Sequence, residues 1–147
     1  MEKKSKSFIK LCAKYGVDPN VVPEITSFEQ ACKKLELSPT NLPKVGNLPA
    51  RHRKRIIADF KLTIIAEALR NGWVPNYNDT STVKYSAWFR VEADQKRPSG
   101  FGLSYAGCVF WLTSSYVGLR LLFPTSDVAE FFGKHFIKLH VDHHLLT

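Results

Sequence analysis

The chain has 147 residues, 44% hydrophobic and 12% aromatic, which suits one domain with a proper core and excludes disorder as the default state. Lys and Arg number 21 against 13 Asp and Glu, a formal charge of +8. That excess favours a polyanionic partner, whether nucleic acid, anionic membrane or acidic protein, although solubility alone also rewards net charge.

Three scattered cysteines, Cys12, Cys32 and Cys108, argue against a disulfide framework or a zinc site. Cys32 and Cys108 fall in apolar patterns, as small hydrophobes do in a reducing cytoplasm. The N-terminal run has no apolar stretch behind it, so no secretory signal is expected. No uninterrupted apolar run approaches the roughly 18 residues of a membrane span.

In chain order, residues 1–7 read as a basic tail, and Phe8 to Tyr15 as a short helix ended by Gly16. Asp18-Pro19 and Pro23 enforce a turn or linker. Thr26-Ser27-Phe28-Glu29 reads as a capping box opening a helix with an apolar face of Phe28, Ala31, Cys32 and Leu35. Residues 38–49, with Pro39, Pro43, Gly46 and Pro49, predict a loop that serves as a hinge. The longest helix is predicted over 49–71, with an Ile57, Phe60, Ile64, Ala68 stripe and a stop at Asn71-Gly72.

After a polar loop, 84–93 alternates cleanly. Tyr85, Ala87, Phe89, Val91 and Ala93 share one face; Lys84, Ser86, Trp88, Arg90 and Glu92 share the other. A loop is predicted over 94–106, then strands at 107–113 and 117–123 joined near Ser114-Ser115. Ser126 is predicted to cap one last helix with an apolar stripe of Val128, Phe131, Phe132, Phe136 and Leu139. The expected fold is α+β: a three-stranded antiparallel meander packed against a long central helix and a C-terminal helix, with an N-terminal helical arm. Residues 1–25 form the tail and first helix, and 26–147 a single domain.

The strongest functional hint is Arg51-His52-Arg53-Lys54-Arg55 at the start of the long helix. Positive charge there opposes the helix dipole, and basic side chains beside free amides suit a phosphate. A solvated helix face is the competing reading. Trp88, Arg90 and Arg120 would form a base-stacking platform if strand register brings them together. Lys96 and Arg97 lie in a basic, Gly-rich loop that lacks the P-loop pattern, so an ordinary hairpin connection is favoured there.

His140 and His144, four apart, invite a metal reading. No third ligand is indicated, and cations near a helix C-terminus are favourable anyway. No motif for nucleophilic or acid–base catalysis is present, and no cofactor is expected. Glu67 and Glu92 read as surface or ion-pair groups.

The segments LPARHRKRIIADFKLTIIAEALRNGWVPNYND (48–79), KYSAWF (84–89), SGFGLSY (99–105), GLRLLF (118–123) and AEFFGKHFIKLH (129–140) carry a resemblance. Over residues 26–146 the chain resembles an uncharacterised family of small proteins recurrent in phages and prophages of Bacteroidota. The family pattern has Pro before the tryptophan, where this chain has Ala87. The resemblance implies a phage or mobile-element setting, in the host cytoplasm or a virion, and supplies no catalytic residue.

Three functions are therefore weighed. The first is a non-enzymatic accessory protein that binds nucleic acid through Arg51, Arg53, Lys54, Arg55, Trp88, Arg90, Lys96, Arg97 and Arg120. The second is a virion or host-protein interaction component, for which the Pro-rich 38–49 segment would serve as a docking arm. The third is a small enzyme with a dispersed site.

Overall fold

Side-chain caps set where most of the helices begin. The computed structural model describes residues 3–114 and 118–145. Helix α1 (Lys6–Tyr15) opens on Ser5, whose Oγ accepts from the Phe8 amide, so it starts inside the segment read as a tail. Gly16 ends it at φ 75°, a left-handed turn that glycine adopts without strain. Helix α2 (Phe28–Lys34) is capped by Ser27, one residue later than expected. The box closes through Gln30 rather than Glu29: the Gln30 amide donates to Ser27 Oγ, and Gln30 Oε1 accepts from the Thr26 amide.

Helix α3 (Ala50–Arg70) divides along its length. Its first two turns stand in solvent, whereas Leu62, Ile64, Ile65, Ala66, Ala68 and Leu69 are all buried. The expected stripe, widened by Ile56, Ile65 and Leu69, is buried in its second half at Ile64, Ile65, Ala68 and Leu69, whereas Ile57 and Phe60 are only half-buried. Further along, neighbouring helices cover the helix on most sides.

Strands β1 (Lys84–Ala93) and β2 (Phe101–Trp111) form an antiparallel hairpin, the one sheet among the described residues. The loop expected over 94–106 is shorter, at 94–100. Asp94 and Gly100 are bonded across it, and Gly100 takes φ 76°. A register shift between Trp88 and Phe89 leaves Ala106 as a bulge on β2.

Among the described residues, the expected third strand does not form. Phe123 makes a single two-way bridge to Tyr85, and residues 118–121 turn away. The cause is Arg70, whose Nη1 donates to the Leu119 and Arg120 carbonyls at 2.9 and 2.7 Å. Carbonyls held by a guanidinium are not free to extend a ladder. The turn expected near Ser114-Ser115 lies partly outside the described residues.

Two helices, α4 (Ser126–His135) and α5 (Ile137–His144), replace the single C-terminal helix, with the break at Phe136. Thr125, not Ser126, caps α4 by accepting from the Val128 amide. α4 crosses the hairpin at Gly133, where a Cβ would sit 2.8 Å from the Tyr105 ring and 2.9 Å from the Ala87 methyl. Phe8 and Cys12 of α1 join Ile65 and Leu69 of α3 and Phe131 of α4 in one core. The N-terminal segment is therefore part of the packed body. No helix among the described residues is long and apolar enough to cross a membrane.

Candidate nucleic-acid interface

The start of α3 is cationic without compensation from its own turn. Its N-cap is Pro49, no side chain caps it, and no acidic residue lies in its first turn. Arg51 and Arg55 are exposed and form no ion pair among the described residues. Lys54 pairs with Asp142 of α5 at 3.1 Å but remains mostly solvent-facing. Arg53 braces the backbone instead. Its Nε donates to the Leu48 carbonyl at 2.8 Å and its Nη2 to the Gly46 carbonyl at 2.9 Å. It pins the preceding loop, which leaves Arg51, Lys54 and Arg55 as the cations turned outward.

On the hairpin, Trp88 and Arg90 share the face directed away from the helices, and both are exposed. Trp88 stands opposite Gly107, so no side chain across the ladder covers it. Arg120 does not join them; it sits in the turn fixed by Arg70, outside the sheet. Arg97 is held by Asp94 at 3.0 Å within the hairpin turn, and Asp94 also accepts from the Lys96 amide. That loop is a neutralised turn with one outward cation, Lys96.

Sequence reasoning missed a cavity of about 280 Å³ at the open edge of β1. Trp88 and Phe89 of β1, Leu121, Phe132 of α4, and His140 and His144 of α5 line it. The edge is open because the backbone groups of Tyr85 point to Phe123, away from β2. By the two-residue alternation, Ala87, Phe89 and Val91 present theirs on that same side, beyond the last partner. A proline at position 87 would cost no β1–β2 bond.

His140 is the unusual group of this cavity. It is 2% exposed, and both ring nitrogens are closed off without a hydrogen bond of normal geometry, the Phe132 carbonyl being the backbone group that acts on the ring. The Phe89 ring lies 4.5 Å from it and the Phe132 ring 4.8 Å, centroid to centroid. Burial, and then the neighbouring His144, push its pKa down to about 3, against a weaker opposing influence from the Phe132 carbonyl. His140 is therefore neutral near pH 7, with one donor and one acceptor. An unsatisfied buried polar atom costs about 1–3 kcal/mol, so such an imidazole is a standing cost to the fold.

His144, at the cavity mouth, is pushed down to about 4 by desolvation, His143 and Arg55. Burial also lowers His143; Asp59, 3.6 Å away, opposes this, and Arg55 adds to it. The Lys54–Asp142 and His143–Asp59 contacts tie the first half of α3 to α5 beside the cavity. The cationic start of α3 and the aromatic cavity on β1 share one neighbourhood, although some thirty residues of chain separate them and no spacing rule links the two.

Among the described residues, no three His, Cys, Asp or Glu side chains gather as metal ligands. Cys12 and Cys32 are buried and Cys108 half-buried, all as free thiols. Comparison with known protein families, curated proteins and solved structures gives no match.

Proposed function

We propose that the chain is a non-enzymatic accessory protein of a phage or mobile element that binds single-stranded nucleic acid. The carrying observation is the apposition of the cationic start of α3 to α5, where Lys54 pairs with Asp142 at 3.1 Å, beside a cavity lined by aromatic and apolar residues of β1, α4 and α5. Cations that track phosphates beside aromatic faces that stack bases are the two parts of sequence-tolerant single-strand binding. The charge of +8 supplies the long-range attraction. The resemblance supports the mobile-element setting.

The competing reading is a virion or host-protein component. The exposed apolar side chains of the hairpin, Val91, Phe101 and Phe110, favour it. Fluorescence anisotropy with single- and double-stranded DNA and RNA across salt concentrations separates the two. Single-strand binding that weakens steeply with salt supports the proposal. No binding at low salt refutes it and leaves the protein partner.

A further inference from the structure

We propose that the cleft between the N-terminal segment, the 20–25 loop and α2 binds a ligand carrying several phosphate groups. The cleft has a volume of about 670 Å³, inside the roughly 300–1,000 Å³ of small-ligand sites. Four lysines line it: Lys3 and Lys4 ahead of α1, and Lys33 and Lys34 in the last turn of α2. Glu24 is the one carboxylate beside them.

None of the four lysines forms an ion pair among the described residues. Lys34 donates instead to the neutral Asn71 Oδ1 at 2.5 Å, and Lys4 Nζ lies 5.5 Å from the centre of the Phe8 ring. Neither contact neutralises an ammonium. Glu24 is turned to another use: its Oε2 accepts from the Ser5 amide at 3.0 Å and its Oε1 from the Ser5 hydroxyl. That clasp holds the segment bearing Lys3 and Lys4 on the 20–25 loop, so that both share the cleft with Lys33 and Lys34.

Lysines at a helix C-terminus are favourable in any protein, so Lys33 and Lys34 alone indicate nothing. The arrival of two more lysines from another part of the chain is what points to a ligand. Like charges gathered without partners repel one another, and an anion placed among them turns each interaction attractive. Ammonium groups hold phosphate as point charges. A carboxylate brings one charge, whereas a chain of phosphates meets several lysines at once. Gln30 adds a donor, since its oxygen is already taken by Thr26. Among the described residues no aromatic side chain lines the cleft, so nothing there stacks a base. The cleft also lies far from the start of α3. Asn71, in its lining, caps the other end of that helix, and 21 helical residues span about 30 Å. The site is therefore separate from Arg51, Lys54 and Arg55. Free polyphosphate and the backbone of a bound strand both carry this chemistry.

The full chain is titrated by calorimetry, in about 0.1 M salt to screen the remote charges, with inorganic triphosphate and separately with a short single-stranded DNA. Wild type is expected to bind triphosphate. Lys33→Gln/Lys34→Gln, at two exposed positions, is expected to fold normally and to bind it about tenfold more weakly, the worth of two exposed ion pairs. Arg51→Gln/Lys54→Gln/Arg55→Gln is expected to keep the wild-type affinity for triphosphate.

No triphosphate binding by wild type, or equal binding by wild type and Lys33→Gln/Lys34→Gln, overturns the proposal. A loss as large in the α3 variant overturns the cleft as a separate site. Where Lys33→Gln/Lys34→Gln does lose triphosphate, the strand names the source. Strand affinity that falls with it assigns the phosphates to a nucleic-acid backbone. Strand affinity left unchanged, or no strand binding at all, assigns the cleft to free polyphosphate.

Discussion

The helical body and the hairpin treat apolar surface in opposite ways. In the body, Phe8, Ile65, Leu69, Phe131 and Phe132 are at most 2% exposed, and aromatic rings meet edge to face across α1 and α4. On the hairpin, Val91 is 58% exposed, Phe101 50% and Phe110 67%. Both regions are rich in aromatic and β-branched residues, so composition does not separate them. Burial does: α4 covers the hairpin around Ala87 and Tyr105, while the far end extends past the helices. Stability should therefore reside in the body, and contact with partners at the hairpin and its open edge.

The largest expected effect tests that division directly. Phe131→Ala should destabilise by about 3–5 kcal/mol, since the ring is fully enclosed by Phe8, Tyr15, His135 and Phe136. Phe110→Ser should change stability by less than about 0.5 kcal/mol. Equal shifts in the urea midpoint for these two variants would erase the contrast.

At the seam between the regions, Gly133→Ala should cost about 1–3 kcal/mol by overpacking, although alanine is the better helix former. A stabilised variant in thermal melts would mean that α4 and the hairpin are less tightly apposed than described.

The cavity should give the body an acid weakness. The folded-state pKa of His140, about 3, lies below the ordinary value of 6.5, so the unfolded chain takes up its proton first as pH falls. Stability is fully present above pH 6.5 and is lost progressively toward pH 3, by up to about 1.4 kcal/mol per pH unit. His144 and His143, also lowered, add in the same direction. His140→Leu should flatten this slope; an unchanged urea-unfolding profile between pH 7 and pH 4 would count against a buried neutral imidazole (about one proton less to account for). The smallest effect belongs to Lys54→Gln. The exposed Lys54–Asp142 pair should contribute no more than about 1 kcal/mol, less in high salt.

Local order was legible in the sequence, and long-range side-chain partnerships were not. The 3.6-residue and two-residue periods located α2, α3 and β1 within a residue or two, because each rule concerns neighbours along the chain. The third strand failed on a contact 49 residues away, where Arg70 takes the Leu119 carbonyl. Lys84 reads as an outward strand position, yet it is 0% exposed. Its ammonium donates to the carbonyls of Asp79, Thr82 and Leu112, so the loops on either side close over it.

The basic run at 51–55 was visible as a run, but which members are free was not. Arg53 is spent on the loop behind it, and Arg97 on Asp94. His140 looked like a helix-end cation or a metal ligand. Only the packing of Phe89 and Phe132 against its ring shows a buried neutral group in a cavity wall. A histidine on the apolar stripe beside Phe136 was the one signal that could have suggested it.

The most direct test of the central claim is the salt-dependent affinity of Arg51→Gln/Lys54→Gln/Arg55→Gln for a short single strand, against wild type. The account predicts folded protein, a markedly weaker complex and a shallower salt slope, because three phosphate-facing cations are gone. Undiminished affinity with the same slope would contradict it and move the binding surface away from the start of α3.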